Sequence, residues 1–265
     1  MKFIDCSASI GYATVNKRII NHENYPIVEK VDQAKDGAEL LTFMDKCGID
    51  EAIVYHQQQV DSSVAFGNKL LLSDERNYTG RLKGVLAIAP SITDEGFDVE
   101  SLFKTIKQYD IFGVRVNPVQ NRFMLDRITM GDIFDAITDA KIPLYLSPED
   151  GWDIVFNALK EFPNLTAIIT NYGLWGSDRF IFPLVNAYKN VYVDSSDYQE
   201  IKGIETFVNK FGSERMLFGT NFPSDAMGGP RATLIGADVP MSDKENIAHK
   251  NIERLIAERK LGGAR

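Results

Sequence analysis

The chain has 265 residues, with 29 Lys and Arg against 37 Asp and Glu, a formal net charge of −8 and 44% hydrophobic residues. The acidic balance argues against nucleic acid or an anionic membrane surface as a partner, since both select clustered basic side chains, and no run of about 18 apolar residues offers a transmembrane helix. The length suits one barrel-sized domain over 1–265; two cysteines, Cys6 and Cys47, and an N-terminus MKFIDCSASIG without the apolar stretch of a signal peptide lead us to expect a reduced, cytoplasmic setting.

Short apolar runs alternate with amphipathic stretches along the whole chain. FIDCSAS (3–9) reads as a first strand, followed by a long loop over 12–34 that carries Tyr12, His22 and Tyr25. AELLTFMDKCG then reads as a helix, with Leu40, Leu41, Met44 and Cys47 on one face and Gly48 as its stop. The strands EAIVYH (51–56), LKGVLAIAP (82–90) and IFGVRVNP (111–118) follow, with VESLFKTIKQYD as a helix before the last of them. MGDIFDAITDAK, IPLYLSP (142–148), WDIVFNALKEFP, LTAIITNYG (165–173), VYVDSS (191–196), IETFVNKFG and MLFGTNFP (216–223) continue the alternation. A second long loop is expected over 224–242, with a Gly-Gly-Pro-Arg turn at 228–231, and a final helix NIAHKNIERLIAERK capped by Ser242 and Asp243.

Strands that alternate with helices are parallel and joined by crossovers, and runs this apolar are buried on both faces. Eight such units predict an α/β fold, a (β/α)8 TIM barrel. The rival, an open doubly wound sheet, usually has fewer strands and often a Gly-rich phosphate turn, and no G-x-G-x-x-G occurs here. A barrel of this kind keeps its site at the C-terminal strand ends. Those ends carry Asp5, Ser7 and Ser9; His56; Arg115 and Asn117; Ser147, Glu149 and Asp150; Asn171 and Tyr172; Asp194 and Ser196; Asn221, Ser224 and Asp225. Strict alternation would put Asp5, Ser7 and Ser9 on one face and Cys6 on the other.

Several of these segments resemble the amidohydrolase-related barrels. FIDCSASIG resembles their first strand, D-x-H-x-H-x-G; GVRVNP resembles their fourth; FPNLTAIITNYG resembles F-P-x-L-x-x-x-x-x-H-x-G at the sixth; NVYVDSS resembles the seventh; ERMLFGTNFP resembles R-x-L-F-G-S-D-x-P at the eighth; AHKNIERLIAE resembles the last helix. The resemblance implies a barrel related to metal-dependent hydrolases, lactonases and non-oxidative decarboxylases of small, often aromatic, carboxylic acids. It also implies where a divalent metal would sit, and there this chain departs from the pattern. The first-strand His-x-His falls on Ser7 and Ser9, the fifth-strand His on Ser147, the sixth-strand His on Asn171 and the eighth-strand Asp on Asn221. Zinc sites use imidazole, thiolate or carboxylate, so hydroxyls and amides predict no resident metal cofactor.

The expected pocket is therefore polar and metal-free, taking a small and anionic ligand through Ser7, Ser9, Arg115, Asn117, Ser147, Asn171 and Asn221. The bland alternative is a decayed site whose polar residues face water. Arg115 either clamps a substrate carboxylate or pairs with a neighbour such as Asp194 or Glu149. His56 and Asp194 are the candidate catalytic residues, His56 as a base near neutral pH or merely a hydrogen-bonded rim histidine. Trp152 and Trp175 either wall the pocket or pack under loops. RFIFPLVNAYKN fits either a homodimer contact or burial against the barrel. Three functions remain open on the sequence: a metal-independent hydrolase or lyase acting on a small carboxylate or carbonyl compound, a degenerate barrel that binds a metabolite or partner, and a metal-dependent hydrolase with replacement ligands.

Overall fold

A computed structural model describes residues 1–13, 32–75, 80–173, 177–198 and 200–261. Eight parallel strands run in sequence order around a barrel: β1 (Ile4–Ile10), β2 (Glu51–His56), β3 (Leu82–Ala87), β4 (Gly113–Arg115), β5 (Leu144–Leu146), β6 (Ala167–Ile169), β7 (Val191–Asp194) and β8 (Met216–Leu217). The sheet closes between its ends: Cys6 N–H donates to the Phe218 carbonyl (2.8 Å) and Ser9 N–H to the Phe222 carbonyl (3.0 Å). Every apolar run read from the sequence contains a strand. The ladder stops before the polar tails of most runs, which turn outward into the loops that form the mouth.

Around the strands lie α1 (Gly37–Cys47), α2 (Gln58–Asp61), α3 (Val64–Glu75), α4 (Val99–Tyr109), α5 (Arg127–Asp139), α6 (Trp152–Glu161), α7 (Asp178–Ala187), α8 (Gly203–Phe211), α9 (Gly228–Gly236), α10 (Met241–Glu245) and α11 (Asn251–Glu258). Their ends follow local chemistry. Asp36 caps α1 through Glu39 N–H (2.9 Å), and Gly48 ends it at φ 67, a left-handed turn that glycine adopts without strain. Asp126 caps α5 with a reciprocal Thr129 contact. Two expectations change. Residues 228–236, read as loop because of Gly-Gly-Pro, form α9; its Pro230 falls in the first turn, where a missing N–H costs little. The last helical segment begins at Met241 rather than after Ser242 and Asp243, and the Asp243 carboxylate instead accepts from the Ser213 hydroxyl (2.7 Å). A π-helical turn over Asn246–Lys250 joins α10 to α11.

Two apolar layers hold the barrel. The outer one, between strands and helices, includes Leu40, Met44, Leu86, Ile106, Val114, Phe134, Leu144, Leu184 and Phe207. The inner one fills the barrel with Ile4, Cys6, Ile53, Val85, Phe112, Tyr145, Ile168, Tyr192 and Leu217. It is a packed core, as expected for eight strands, and it forms the floor of whatever lies at the C-terminal mouth. The loop over 12–34 falls mostly outside the described residues, with His22 and Tyr25; Trp175 is outside them as well. No helix among the described residues is long and apolar enough to cross a membrane.

Candidate active site

The alternation of β1 breaks at the mouth. Asp5 pairs with Ala52, but Ala8 pairs with Val54, so β1 carries one extra residue between them, a β-bulge. As a result Cys6 and Ser7 both line the cavity above the inner core, where strict alternation would have separated them. Asp5 points elsewhere: its carboxylate accepts from Ser7 N–H (2.9 Å), Thr220 N–H (2.9 Å) and the Thr220 hydroxyl (2.5 Å), pinning the bulge to the segment after β8. Ser9 serves the same seam, its hydroxyl donating to the Phe222 carbonyl (3.3 Å), and does not line the cavity.

The cavity is walled by Cys6 and Ser7 from β1, Tyr55 from β2, Arg115 from β4, Tyr145 from β5 and Ser147 just after it, Thr170 and Asn171 after β6, and Asn221 after β8. Its water-accessible volume is about 20 Å³, room for about one ordered water or one small polar group. Asn171 (φ 54) and Asn221 (φ 53) both adopt left-handed backbone where the chain leaves its strand. Asparagine is among the few non-glycine residues that tolerate this conformation, so these positions suit Asn on backbone grounds as well as for its amide.

Among the described residues, Arg115 is the only cation along this wall. It is 9% exposed. Its Cζ stacks 3.6 Å from the Tyr55 ring centroid, and Nη2 donates to Asn117 Oδ1 (3.0 Å). Nε and Nη1 have no hydrogen-bond partner among the described residues. Both contacts are to neutral groups, and neither Asp194 nor Glu149, the partners the sequence led us to expect, is among them. Asn117 does not itself line the cavity; it holds the guanidinium.

Asp194 lies beneath the cavity wall with no exposure at all. Its oxygens accept from Ser196 N–H (2.8 Å) and the Ser196 hydroxyl (3.0 Å). Gly219 makes the approach of Asp194 to Ser7 sterically feasible: a Cβ there would meet Asp194 Oδ1 at 2.0 Å and Ser7 Oγ at 2.5 Å. Burial pushes the Asp194 carboxyl up to about 7, and that of Asp5 up to about 6, because a charged carboxylate loses its hydration there. Burial also raises the Cys6 thiol well above its usual range.

His56 takes the opposite face of β2 from Tyr55. Its ring lies against Gly11, its Nδ1 accepts from Gln58 N–H (3.1 Å), and burial lowers its pKa. It does not line the cavity. Trp152 stacks on Phe180 at 4.7 Å, packing α6 on α7, and Ile181, Leu184 and Val185 turn the apolar segment of α7 into the outer core. Among the described residues, no three of His, Cys, Asp and Glu gather into a group that could hold a metal ion. Reading the strand ends alone missed Tyr55, Tyr145 and Thr170; counting forward by two from the interior Ile53 would have placed Tyr55 inside.

The sequence model of a family described as Amidohydrolase matches residues 39–257. Comparison with curated protein sequences gives no match. Among solved structures, an uncharacterized TIM-barrel protein from Bordetella bronchiseptica superposes with a TM-score of 0.75 at 19% identity, over 97% of this chain and 99% of that one. A 2,6-dihydroxybenzoate decarboxylase complexed with 2,6-dihydroxybenzoate gives a TM-score of 0.73 at 14% identity, over 97% and 99%. The 5-carboxyvanillate decarboxylase of Sphingomonas paucimobilis gives 0.72 at 14% identity, over 97% and 99%. At these identities the likeness establishes the barrel.

Proposed function

The chain belongs to the amidohydrolase family, and from that premise we propose that it is a metal-independent hydrolase or lyase acting on a small carboxylate or carbonyl compound. The observation that carries the reading is Arg115, a buried guanidinium in the cavity wall whose Nε and Nη1 have no partner among the described residues. Removing a charge from water is costly unless it is paired, so a site of this kind is completed by an anion. A cavity of about 20 Å³ takes one oxygen of a carboxylate against Arg115, leaving the remainder of the ligand at the mouth. The two decarboxylases of matching fold are named for aromatic carboxylic acids, in keeping with that class.

In this reading Arg115 fixes the anionic group, held by Asn117, and Ser7, Ser147, Asn171 and Asn221 hydrogen-bond the remaining polar atoms. Neither Asp194 nor His56 lines the cavity; Asp194, which meets the wall residue Ser7 beside Gly219, moves the proton in preference to His56, whose ring packs against Gly11. Metal independence is supported by the donor set. The positions where the family's ligands fall are Ser7, Ser9, Ser147, Asn171 and Asn221. Of these, Ser9 is committed to the Phe222 carbonyl and the Asn221 amide to Asp225 (2.9 Å), while the Arg115 charge faces the same cavity. Hydroxyls and amides beside a cation do not fit a divalent transition metal.

The test is thermal unfolding with formate and benzoate, on the chain and on Arg115→Gln, alongside elemental analysis. Both anions raise the melting temperature of the parent and leave the variant unmoved, because a ligand that binds only the folded state stabilises it. No shift in the parent, or near-stoichiometric metal, overturns the reading. Saturable binding without turnover of any carboxylic ester, lactone or aromatic acid would make the chain a binding protein.

A further inference from the structure

The Arg115 cavity is small, and its lining carries a single charge. Resting on the reading of Arg115 as the group that holds the anion of the ligand, we propose that the cavity also encloses a single halide ion, chloride or bromide, and that halide therefore competes with the carboxylate ligand for this site.

Size comes first. A water-accessible volume of about 20 Å³ holds about one sphere of the size of water. A carboxylate places one oxygen there and leaves the rest outside, and sulfate or phosphate is bulkier still. Chloride and bromide are single atoms little larger than water, so they enter whole.

The lining then sets the sign of the charge. Among the described residues that line the cavity, Arg115 is the only Lys or Arg and none is Asp or Glu. Nε and Nη1 are buried without a partner among the described residues. The Tyr55 ring, 3.6 Å from Cζ, and Asn117 Oδ1, 3.0 Å from Nη2, already fix the guanidinium, so little side-chain freedom is lost when an anion binds. The hydroxyls of Ser147 and Thr170 and the amide of Asn171 line the same space with neutral donors. Ser147 Oγ accepts from Glu149 N–H (3.3 Å), which leaves its own proton to donate. Burial keeps the Cys6 thiol and the Tyr145 phenol protonated, so neither adds a negative charge. Asp5 and Asp194 lie behind the lining, and burial favours their neutral forms as well.

Apolar side chains sharpen the selection. Ile53, Val85 and Val116 complete the lining and lower the local dielectric, which strengthens the attraction between guanidinium and ion. They also discriminate among halides. The cost of taking an ion out of water rises as the ion shrinks, so fluoride loses most on entry.

Calorimetric titration of the protein with formate, at about pH 6 where Asp194 keeps its proton, tests the competition. Sodium bromide is compared with sodium fluoride at equal ionic strength, so that screening is the same in both. With bromide at about ten times its own half-saturation concentration, the apparent dissociation constant of formate should rise about tenfold, and fluoride should leave it unmoved. Bromide alone should raise the melting temperature of the parent and not that of Arg115→Gln. Thr170→Val, which keeps the side-chain shape and removes one donor, should weaken bromide about fivefold. Anomalous scattering from parent crystals soaked in sodium bromide should place the ion against Arg115, a result that does not depend on how the variants fold. A formate constant that bromide does not move, or bromide found elsewhere, overturns the halide site and leaves the carboxylate reading standing. Bromide against Arg115 with no formate binding supports the halide site and removes the carboxylate reading. If neither anion binds, both fall.

Discussion

Replacing Asp194 by Asn should change how stability depends on pH, by an amount set by burial. The Asp194 carboxyl is raised from 3.8 to about 7 by loss of hydration. Its proton is therefore retained in the folded chain at pH values where the unfolded chain has lost it. Between those limits the folded state binds more protons, so stability falls as pH rises; the contribution is complete below 3.8 and gone above about 7. At about 1.4 kcal/mol per pH unit the whole window is worth about 4 kcal/mol, and no screening discount applies to a group without exposure. The Asp194→Asn side chain would stay neutral at every pH and can still accept from Ser196 N–H. Between about pH 5 and 8 the variant should gain about 3 kcal/mol on the parent, read as a change in the difference between their urea midpoints. The groups around Asp194 are Asp5, Cys6, Tyr145, Tyr172 and Asp197. All remain in both proteins, and Asp5, raised to about 6, largely cancels in the difference. A difference that does not move with pH would refute the argument, since it would mean that the folded carboxylate keeps its hydration.

Arg115→Gln should leave stability without ligand unchanged or raise it by about 1 kcal/mol, since it removes a buried and incompletely partnered charge; urea unfolding without added anions checks this, and a loss above about 2 kcal/mol would mean the guanidinium is structurally paired. Gly219→Ala should cost at least about 1–3 kcal/mol, read from urea unfolding, because the new Cβ would lie 2.0 Å from Asp194 Oδ1 and 2.5 Å from Ser7 Oγ. Asn221→Ala should cost about 1–2 kcal/mol from its left-handed backbone, with Asn221→Gly recovering most of that loss although both variants lack the bond to Asp225. Equal losses in the two would assign the effect to the amide.

The barrel was legible in the sequence because the hydrophobic effect writes it locally. Each strand is a short apolar run buried on both sides, each helix repeats its apolar face along one stripe, and their strict alternation leaves little but a parallel barrel. Arg115, Ser147, Asn171 and Asn221 were legible for the same reason, since the end of a barrel strand faces the mouth. Asp194 was nominated in the same way, but its place beneath the wall was not. That depends on Gly219 across the β7–β8 seam, which lets Ser7 and Asp194 come together. The β1 bulge, which brings Cys6 and Ser7 to one cavity and turns Asp5 toward Thr220, needs β2 and the segment after β8 as partners. Likewise, the orphaned edges of Arg115 emerge only when Tyr55 and Asn117 take up their positions around it. Periodicity is a property of neighbours in the chain; the register of closure and the pairing of a buried charge are properties of neighbours in space, and those only the tertiary structure decides.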